Sequence, residues 1–252
     1  MLPLLLTIFS ALPLLGCVKN PVIVTDIVRT PQATVDALGK YGTATVHEAM
    51  GRTGLAGPRF RPIQDGSSVA GNAVTVVCWP GDNLMIHAAI EQCRPGDLLV
   101  VTTNSPSTDG MFGELFATAL QARGVHALVI DAGVRDVADL RDIGFSVWST
   151  AVSAQGTVKA TAGAVNVAVT LGQVSVSPGD VVVADDDGVV VVPRCDVDAT
   201  LTACAARLEK EAATRAAFRD GELGLDRYGL RPVLESLGVR YVTQREYDGE
   251  LR

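Results

Sequence analysis

Residues 113–136 read GELFATALQARGVHALVIDAGVRD, and their pattern predicts the architecture of the chain. Apolar residues at helical spacing predict a helix over residues 115–123. Gly124 then marks a tight turn, and the apolar run at 125–130 predicts a buried strand. A further helix is expected to follow. Successive helices and strands of this length indicate an α/β architecture in which the chain returns repeatedly to one edge of a sheet.

Three charged residues flank this unit. Glu114 stands at the start of the first helix, and Arg135 and Asp136 stand at the start of the next. Helix N-termini favour anions, because their backbone N–H groups point at the ligand. We therefore expect Glu114, Arg135 and Asp136 to face a common pocket. The alternative is a structural role, since carboxylates are common in first helical turns and adjacent Arg and Asp can form a surface ion pair.

The composition is that of a globular chain able to bury a full core, with 252 residues of which 48% are apolar. A formal net charge of −7 and the lack of a basic cluster argue against a nucleic-acid-binding role. The cysteines are odd in number and include no Cys-x-x-Cys motif, which indicates free thiols rather than disulfides or a zinc site. They are Cys17, Cys78, Cys93, Cys195 and Cys204.

The first 20 residues form an apolar leader. It contains Cys17 in a pattern that resembles a lipoprotein cleavage site, but it lacks the usual positive segment. A misassigned start codon, a lipoprotein or secretory signal, and a packed N-terminal helix are the three interpretations. The predicted organisation is this leader at 1–20, an α/β core at 21–195, and a C-terminal helical extension at 196–252, at a subunit interface.

Pro-Gly-Asp turns divide the core, and each lies beside an apolar strand candidate. They occupy residues 80–82, 95–97 and 178–180. A helix is predicted at 83–92, between the first two turns. Residues 144–193 change to short strands rich in Val and Thr, with a turn at 185–188 between two of them. The first half is therefore predicted as α/β with crossovers and the second half as mostly β.

The predicted C-terminal helix carries an apolar seam formed by Leu201, Cys204 and Leu208. A terminal helix with one such seam often docks on a neighbouring subunit. Glu211 falls on the same seam, where a carboxylate is out of place unless it serves a site across an interface. The ordinary alternative is a helical ion pair between Glu211 and Arg215.

Further side chains are candidates for the pocket of Arg135 and Asp136. Asp82 and Asn83 lie at the first Pro-Gly-Asp turn, and His87 follows one helical turn later, so they can line one cleft. A structural role is the alternative for His87.

Other chemistries lack their sequence signals. No Gly-x-Ser-x-Gly, phosphate-loop or His-Glu-x-x-His motif occurs. The chain has only four lysines, and none lies in a hydrophobic strand where burial would lower its pKa for covalent catalysis. Metal-assisted chemistry remains, and oxygen ligands from Asp and Glu favour Mg²⁺ or Mn²⁺ over zinc.

Four segments together resemble the 4-hydroxy-4-methyl-2-oxoglutarate/4-carboxy-4-hydroxy-2-oxoadipate aldolases. They read TATVHEAMGRTG at 43–54, PGDN at 80–83, GVHALVIDAGVRD at 124–136 and GELGLD at 221–226. The Arg-Asp core alone is shared with the regulators of ribonuclease E activity, which have the same fold and no aldolase role. The resemblance implies an RraA-like β/β/α swivelling core, a homotrimer or homohexamer, and class II, metal-dependent cleavage that releases pyruvate.

The resemblance also implies roles for individual residues. Asp136 would bind the Mg²⁺ or Mn²⁺ ion, and Arg135 would neutralise the oxygen of the pyruvate enolate. Glu114 would hold a metal-bound water, and Glu211 of a neighbouring subunit would do the same. Family members commonly have aspartate at the position of Glu114, so a longer side chain must fit here. The substrate-binding residues would be Arg135, Gly113, Leu115, Asn83 and His87.

The expected reaction is cleavage of 4-carboxy-4-hydroxy-2-oxoadipate to pyruvate and oxaloacetate, or of the 4-methyl analogue to two pyruvates, in the breakdown of aromatic acids. Oxaloacetate decarboxylation passes through the same enolate and is expected as a side activity. A dedicated oxaloacetate decarboxylase and a non-catalytic regulator of ribonuclease E are the alternatives. The ligand would be a small anionic 2-oxo acid. Similar aldolases lack the leader, which favours a cytoplasmic location over a signal ending at Cys17.

Overall fold

The computed structural model describes residues 21–250, so the expectations for residues 1–20 lie outside the described residues. The chain divides into two compact units, one ending at Cys204 and the other beginning at Ala205. Within the described part, no helix is both long and apolar enough to cross a membrane.

The first unit combines one large mixed sheet with short helices. Its strands are β1 (Val22–Ile23), β2 (Arg61–Pro62), β3 (Val69–Cys78), β4 (Asp97–Thr103), β5 (Gly110–Phe112), β6 (Ala127–Val134), β7 (Ser146–Val152), β8 (Ala164–Val165), β9 (Val169–Leu171), β10 (Val174–Val176), β11 (Val181–Asp185) and β12 (Gly188–Val192). Its helices are α1 (Gln32–Leu38), α2 (Thr43–Ala49), α3 (Leu84–Gln92), α4 (Glu114–Gln121) and α5 (Val137–Asp142). The main path of the sheet runs β1-β8-β3-β4-β6-β7-β2, and β9 and β10 form a separate hairpin.

Parallel strands form the centre of this sheet. β3, β4, β6 and β7 are parallel neighbours, and α3, α4 and α5 form the crossovers between them. Such crossovers are required because parallel strands cannot be joined by a tight hairpin. The strands are buried on both faces, which explains their continuous apolar sequences. The α/β architecture predicted for the first half is confirmed.

The valine-rich second half pairs with the same sheet. β11 and β12 form an antiparallel hairpin that closes at Asp185 and Gly188, as predicted, and β11 also pairs with β3. Valines of this hairpin pack against Val35, Leu38 and Val46 of α1 and α2. The hairpin of β11 and β12 is therefore an antiparallel addition to β3, whereas β7, also in the second half, belongs to the parallel centre.

Strand β6 is longer than the sequence predicted. It continues to Val134, so Asp131 lies inside the strand rather than beyond its end. The register between β6 and β7 shifts between Ile130 and Gly133. Before this shift β6 pairs with β4, and after it β6 pairs with β5. An irregularity of this kind bends a strand and redirects its side chains, here just before Arg135.

The helices of the C-terminal region are α6 (Val197–Arg219), α7 (Gly224–Arg227), α8 (Arg231–Ser236) and α9 (Gln244–Glu250). The predicted C-terminal helix is thus present as α6. Leu201 and Cys204 of α6 pack with the valines of the hairpin. Leu208, the third residue of the predicted seam, belongs to the second unit and is exposed.

Candidate active site

Arg135 and Asp136 follow β6 directly. The backbone N–H of Arg135 donates to the carbonyl of Phe112 on β5 at 2.9 Å, which fixes the chain at this corner. Asp136 has a left-handed backbone, with φ 56° and ψ 38°, and immediately precedes α5. Arg135 Nε lies 3.7 Å from Asp136 Oδ2, and the two side chains are 43% and 40% exposed. The ion pair is loose, so both groups remain accessible to a ligand.

Gly113 brings the start of α4 against this corner. The backbone N–H of Glu114 donates to Asp136 Oδ2 at 3.3 Å, so one carboxylate lies at the starts of both α4 and α5. A β-carbon on Gly113 would overlap Asp136 Oδ2 and would lie 3.2 Å from Arg135 Cγ. Glycine is therefore required here by space, and the structure brings the two predicted helix starts together.

A cavity of about 170 Å³ opens beside Arg135 and Asp136. Lys159 also lines it, although this lysine carried no functional signal in the sequence. Two cations therefore face one carboxylate in the same small space, which favours an anionic ligand. The residues from the sequence prediction that line the cavity are Asn83, His87, Gly113, Leu115, Arg135 and Asp136.

His87 forms part of the cavity wall with Phe116. Their ring centroids are 4.5 Å apart. Partial burial lowers the pKa of His87, and the nearby ammonium group of Lys159 lowers it further. The imidazole is therefore neutral at neutral pH, and it can offer a hydrogen bond to a ligand without adding a third charge.

Asn83 is the buried polar residue of the cavity, with 4% of its surface exposed. Its Nδ2 donates to the carbonyl of Met111 at 3.1 Å. Its Oδ1 is buried and has no hydrogen-bond partner among the described residues. A buried acceptor without a partner is costly, so a ligand that donates a hydrogen bond here would satisfy it.

The side chain of Glu114 follows its own helix instead of the cavity. Its Oε1 accepts a hydrogen bond from Thr118 Oγ1 at 2.6 Å, and Glu114 is not among the cavity-lining residues. The pairing explains how the chain accommodates a side chain longer than aspartate. The assignment of Glu114 to a metal-bound water stays a prediction, and it requires the carboxylate to leave Thr118.

Glu211 lies on α6, in the second unit. Its Oε1 is 2.8 Å from Arg207 Nε. The ion pair therefore involves the residue one turn before Glu211, whereas the sequence alternative named Arg215, one turn after it. The role of Glu211 across a subunit interface stays a prediction.

A divalent cation at this site would rest on few protein ligands. Among the described residues, no three His, Cys, Asp or Glu side chains converge as a metal cluster. The carboxylate of Asp131 forms an ion pair with Arg59 and does not line this cavity. One accessible carboxylate, Asp136, remains at the cavity. Mg²⁺ is commonly held by one or two carboxylates together with substrate oxygens and waters, so the donor set fits that ion.

Asp82 does not line the cavity, contrary to the expectation that it would share the cleft with Asn83 and His87. It is 2% exposed, and its carboxylate accepts hydrogen bonds from backbone N–H groups. Lys159 is a cavity-lining residue that the sequence pattern does not indicate. It lies in an irregular segment without helical or strand pattern, so the local sequence does not mark it as a functional residue.

The chain is similar in sequence and fold to proteins of one family. Residues 43–191 match the RraA-like family model, described as Aldolase/RraA. The match covers more than half of the chain. The chain therefore belongs to the Aldolase/RraA family, and the resemblance inferred from the sequence is confirmed.

Individual relatives carry different names on this fold. A Halalkalibacterium halodurans protein provisionally named 4-hydroxy-4-methyl-2-oxoglutarate aldolase is 26% identical over 201 residues, which cover 78% of this chain and 95% of that protein. The structure of Streptomyces coelicolor RraAS2, an unusual member of the RNase ES inhibitor RraA family, has 27% identity and a TM-score of 0.68, covering 75% of this chain and 99% of that one.

A third relative carries yet another name. A Geobacillus kaustophilus structure named S-adenosylmethionine: 2-dimethylmenaquinone methyltransferase has 26% identity and a TM-score of 0.56, and covers 61% of this chain and 95% of that one. Because proteins with such different names share the fold, function has to be argued from the site.

Proposed function

We propose that this protein is a divalent-metal-dependent aldolase that cleaves a 4-hydroxy-2-oxo acid with two or three carboxylates and releases pyruvate. The observation that carries the proposal is the cavity that Arg135, Asp136 and Lys159 line together. The substrate would be 4-carboxy-4-hydroxy-2-oxoadipate, or its 4-methyl analogue 4-hydroxy-4-methyl-2-oxoglutarate. Membership of the Aldolase/RraA family and the name of the Halalkalibacterium halodurans relative support the same reaction class.

The arrangement of charge suits a substrate with more than one carboxylate. Arg135 and Lys159 supply two positive charges, and the first turn of α4, at Gly113 and Leu115, offers backbone N–H groups that have no partner within the helix. One carboxylate can bind at this helix start while another pairs with Lys159. Such double anchoring fixes the scissile bond relative to Arg135.

The reaction needs negative charge to be stabilised at one atom. When the C4 hydroxyl loses its proton, the C3–C4 bond breaks and its electron pair moves towards C2. Negative charge then develops on the C2 oxygen, and protonation of C3 yields pyruvate. Arg135 would donate hydrogen bonds to this oxygen, and a fixed cation at a developing oxyanion is a large source of rate enhancement.

Asp136 would hold the divalent cation, with Mg²⁺ or Mn²⁺ preferred for its hard oxygen. The bound cation would supply Lewis-acid polarisation of the 2-keto oxygen. Asn83 and His87 would orient the substrate from the side of α3, where the unpaired Oδ1 of Asn83 can accept its hydroxyl proton in a hydrogen bond. The site would also decarboxylate oxaloacetate, since that reaction develops charge at the same oxygen.

The experiment is a pyruvate-release assay on 4-carboxy-4-hydroxy-2-oxoadipate, its 4-methyl analogue and oxaloacetate, before and after removal of divalent cations with EDTA. We expect turnover that EDTA abolishes and Mg²⁺ or Mn²⁺ restores. Arg135→Lys should lose about 100-fold in kcat, as for loss of one oxyanion donor. Activity that survives complete metal removal would contradict the metal-dependent mechanism.

A direct measurement of Mn²⁺ binding by electron paramagnetic resonance tests Asp136 without reference to turnover. Asp136→Asn should weaken Mn²⁺ binding and abolish activity. Asp139→Asn is the matched control, because Asp139 is an exposed carboxylate in the first turn of the same helix and lies outside the cavity. Equal Mn²⁺ affinity in both variants would remove Asp136 from the proposed metal site.

Two other functions share this fold or this site. An oxaloacetate decarboxylase would use the same cavity, and it would turn over oxaloacetate while leaving both hydroxy acids intact. Regulation of a ribonuclease E type enzyme is favoured by the likeness to Streptomyces coelicolor RraAS2 along nearly all of that chain. Inhibition of such a ribonuclease by a variant carrying both Arg135→Lys and Asp136→Asn would support the regulator.

A further inference from the structure

We propose that Asp82 is a positioning residue that holds Lys159 at the cavity, because its single carboxylate joins the two segments that carry Lys159 and His87. Lys159 lies in the irregular stretch of residues 153–163, and His87 lies on α3, directly after the turn that contains Asp82. The inference rests on the proposed function only where it concerns substrate; the geometry that it describes stands independently.

Lys159 needs such support because the chain around it has little regular structure. Residues 153–163 contain no strand or helix, and their contribution to sheet pairing is one isolated bridge between Val158 and Asp82. Lys159 is itself exposed. A side chain on a segment of this kind would otherwise sample many positions.

The carboxylate of Asp82 supplies bonds in two directions. Oδ1 accepts from the backbone N–H of Leu84 at 2.9 Å, at the start of α3. Oδ2 accepts from the N–H groups of Ala160 at 2.9 Å and Thr161 at 2.6 Å. These two residues directly follow Lys159. One buried side chain therefore sets the position of Lys159 relative to the helix that bears His87.

Backbone bonds complete the attachment. The N–H of Val158 donates to the carbonyl of Gly81 at 2.9 Å, and the N–H of Asn83 donates to the carbonyl of Val158 at 3.0 Å. Trp79 Nε1 also donates to the carbonyl of Ala162 at 3.1 Å. The chain is thus hydrogen-bonded on both sides of Lys159, through the backbone of Val158 before it and through the carboxylate of Asp82 after it.

The ionised form of Asp82 is required for this role. Burial raises the pKa of Asp82, but the N–H groups of Leu84, Ala160 and Thr161 lower it by more, so the net shift is downward. An asparagine would keep one acceptor oxygen and would turn an amide group towards N–H donors. Asp82→Asn should therefore break the side-chain link at one of its ends, at Leu84 or at Ala160 and Thr161, while preserving the size of the side chain.

His87 provides a reporter that does not depend on activity. Burial is the larger cause of the lowered pKa of His87, and the charge of Lys159 is the second cause. The chain has three histidines, so their imidazole signals can be resolved by NMR. The signal that disappears in His87→Gln is the signal of His87. Lys159→Gln should raise the pKa of His87. Asp82→Asn should raise it in the same direction, because Lys159 is no longer held nearby.

Asp180→Asn is the matched control. Asp180 occupies the same position of a Pro-Gly-Asp turn, is 8% exposed, and accepts backbone bonds from Ser177 at 2.7 Å and Arg194 at 2.9 Å. It should destabilise the protein much as Asp82→Asn does and leave the pKa of His87 unchanged. In the background of Lys159→Gln, Asp82→Asn should have no further effect on His87. An unchanged pKa of His87 in folded Asp82→Asn would overturn the proposal.

Two further measurements keep the test decisive. In the pyruvate-release assay, Lys159→Gln should raise KM about tenfold with kcat little changed, as for loss of a hydrogen bond to a charged group that acts in binding. Asp82→Asn should move KM in the same direction. If the unaltered protein releases no pyruvate, the proposed function fails, while the His87 titration still decides the role of Asp82.

If Asp82→Asn does not fold, amide hydrogen exchange on the unaltered protein replaces it. The N–H groups of Ala160 and Thr161 should be protected from exchange at neutral pH, unlike those of Ala154 and Gly156 in the same segment. Rapid exchange at Ala160 and Thr161 would mean that Asp82 does not hold this segment in solution, and the proposal would fall.

Discussion

Asp136 accepts a hydrogen bond from the backbone N–H of Glu114 at 3.3 Å, across 22 residues of sequence. The contact joins the first residue of α4 to the residue that precedes α5. It is possible because Gly113 has no β-carbon. The start of α4 and the start of α5 are therefore held together by the carboxylate of Asp136, and the absence of a side chain at Gly113 allows this contact.

Gly113→Ala should misplace the carboxylate of Asp136 and lower activity by about 100-fold, the cost of a displacement near 1 Å at a reacting centre. The backbone of Gly113 is extended, with φ −155°, so alanine adds no backbone strain. Thermal unfolding should therefore change little compared with kcat.

Gly156→Ala is the control for this glycine. A β-carbon there would lie 3.7 Å from Arg135 Nη1, an ordinary van der Waals distance. Pyruvate release by Gly156→Ala should stay close to that of the unaltered protein. Similar losses in both variants would mean that crowding at Asp136 is not the cause.

The hydrogen bond between Glu114 and Thr118 predicts different results for the two residues. If Glu114 turns to the cavity during the reaction, Glu114→Gln should lower kcat about 100-fold, the scale of lost proton-transfer assistance. Thr118→Val removes the competing partner at 2.6 Å and should keep or raise kcat. Steady-state kinetics on both variants checks this. Full activity of Glu114→Gln would leave Glu114 with a structural role only, as the partner of Thr118 on α4.

The lowered pKa of Asp82 predicts how the free energy of unfolding changes with pH. Its pKa is lowered in the folded protein, so its contribution to stability is present above the ordinary carboxyl pKa and is lost as pH falls through the folded value. Asp82→Asn should unfold with a free energy about 2 kcal/mol lower than the unaltered protein at pH 7. Urea unfolding between pH 7 and pH 3 should show this difference shrinking below about pH 4. A difference that grows in acid would have the wrong sign.

The cysteines should differ in reactivity. Burial and the charge of Asp82 raise the pKa of Cys78 to about 12, and burial and Asp97 raise that of Cys93 to about 12. Both thiols should stay unmodified by iodoacetamide at pH 8, because the thiolate is the reactive form. Among the cysteines of residues 21–250, Cys195 is exposed and should be alkylated first. Peptide mass spectrometry distinguishes them, and early labelling of Cys78 would contradict its burial.

Much of the fold was predictable from local pattern. The continuous apolar runs of β3, β4 and β6 and the Pro-Gly-Asp turns beside them define a parallel sheet, and the turn at 185–188 defines the valine hairpin. The length of β6 was not predictable, because Asp131 and Gly133 are typical of a strand end. Tertiary pairing with β5 and β7 extends the strand past them.

The candidate site was predictable where it depends on helix starts. The pocket positions of Arg135, Asp136 and Gly113 are predictable because each stands where a helix begins. Lys159 could not be found, since its position depends on the long-range bonds of Asp82 to an irregular segment. Asp82 itself looked like a pocket residue, and only its burial shows that it acts through its neighbours.

At position 136 the residue that would make the fold more stable differs from the residue that the proposed reaction needs, because the backbone of Asp136 is left-handed. A left-handed conformation costs a residue with a β-carbon about 1 kcal/mol, and glycine would adopt it freely. A search for more stable variants would therefore tend to select glycine here and lose the carboxylate beside Arg135. Attempts to increase the heat resistance of this protein should exclude position 136, where higher stability would select against the proposed activity.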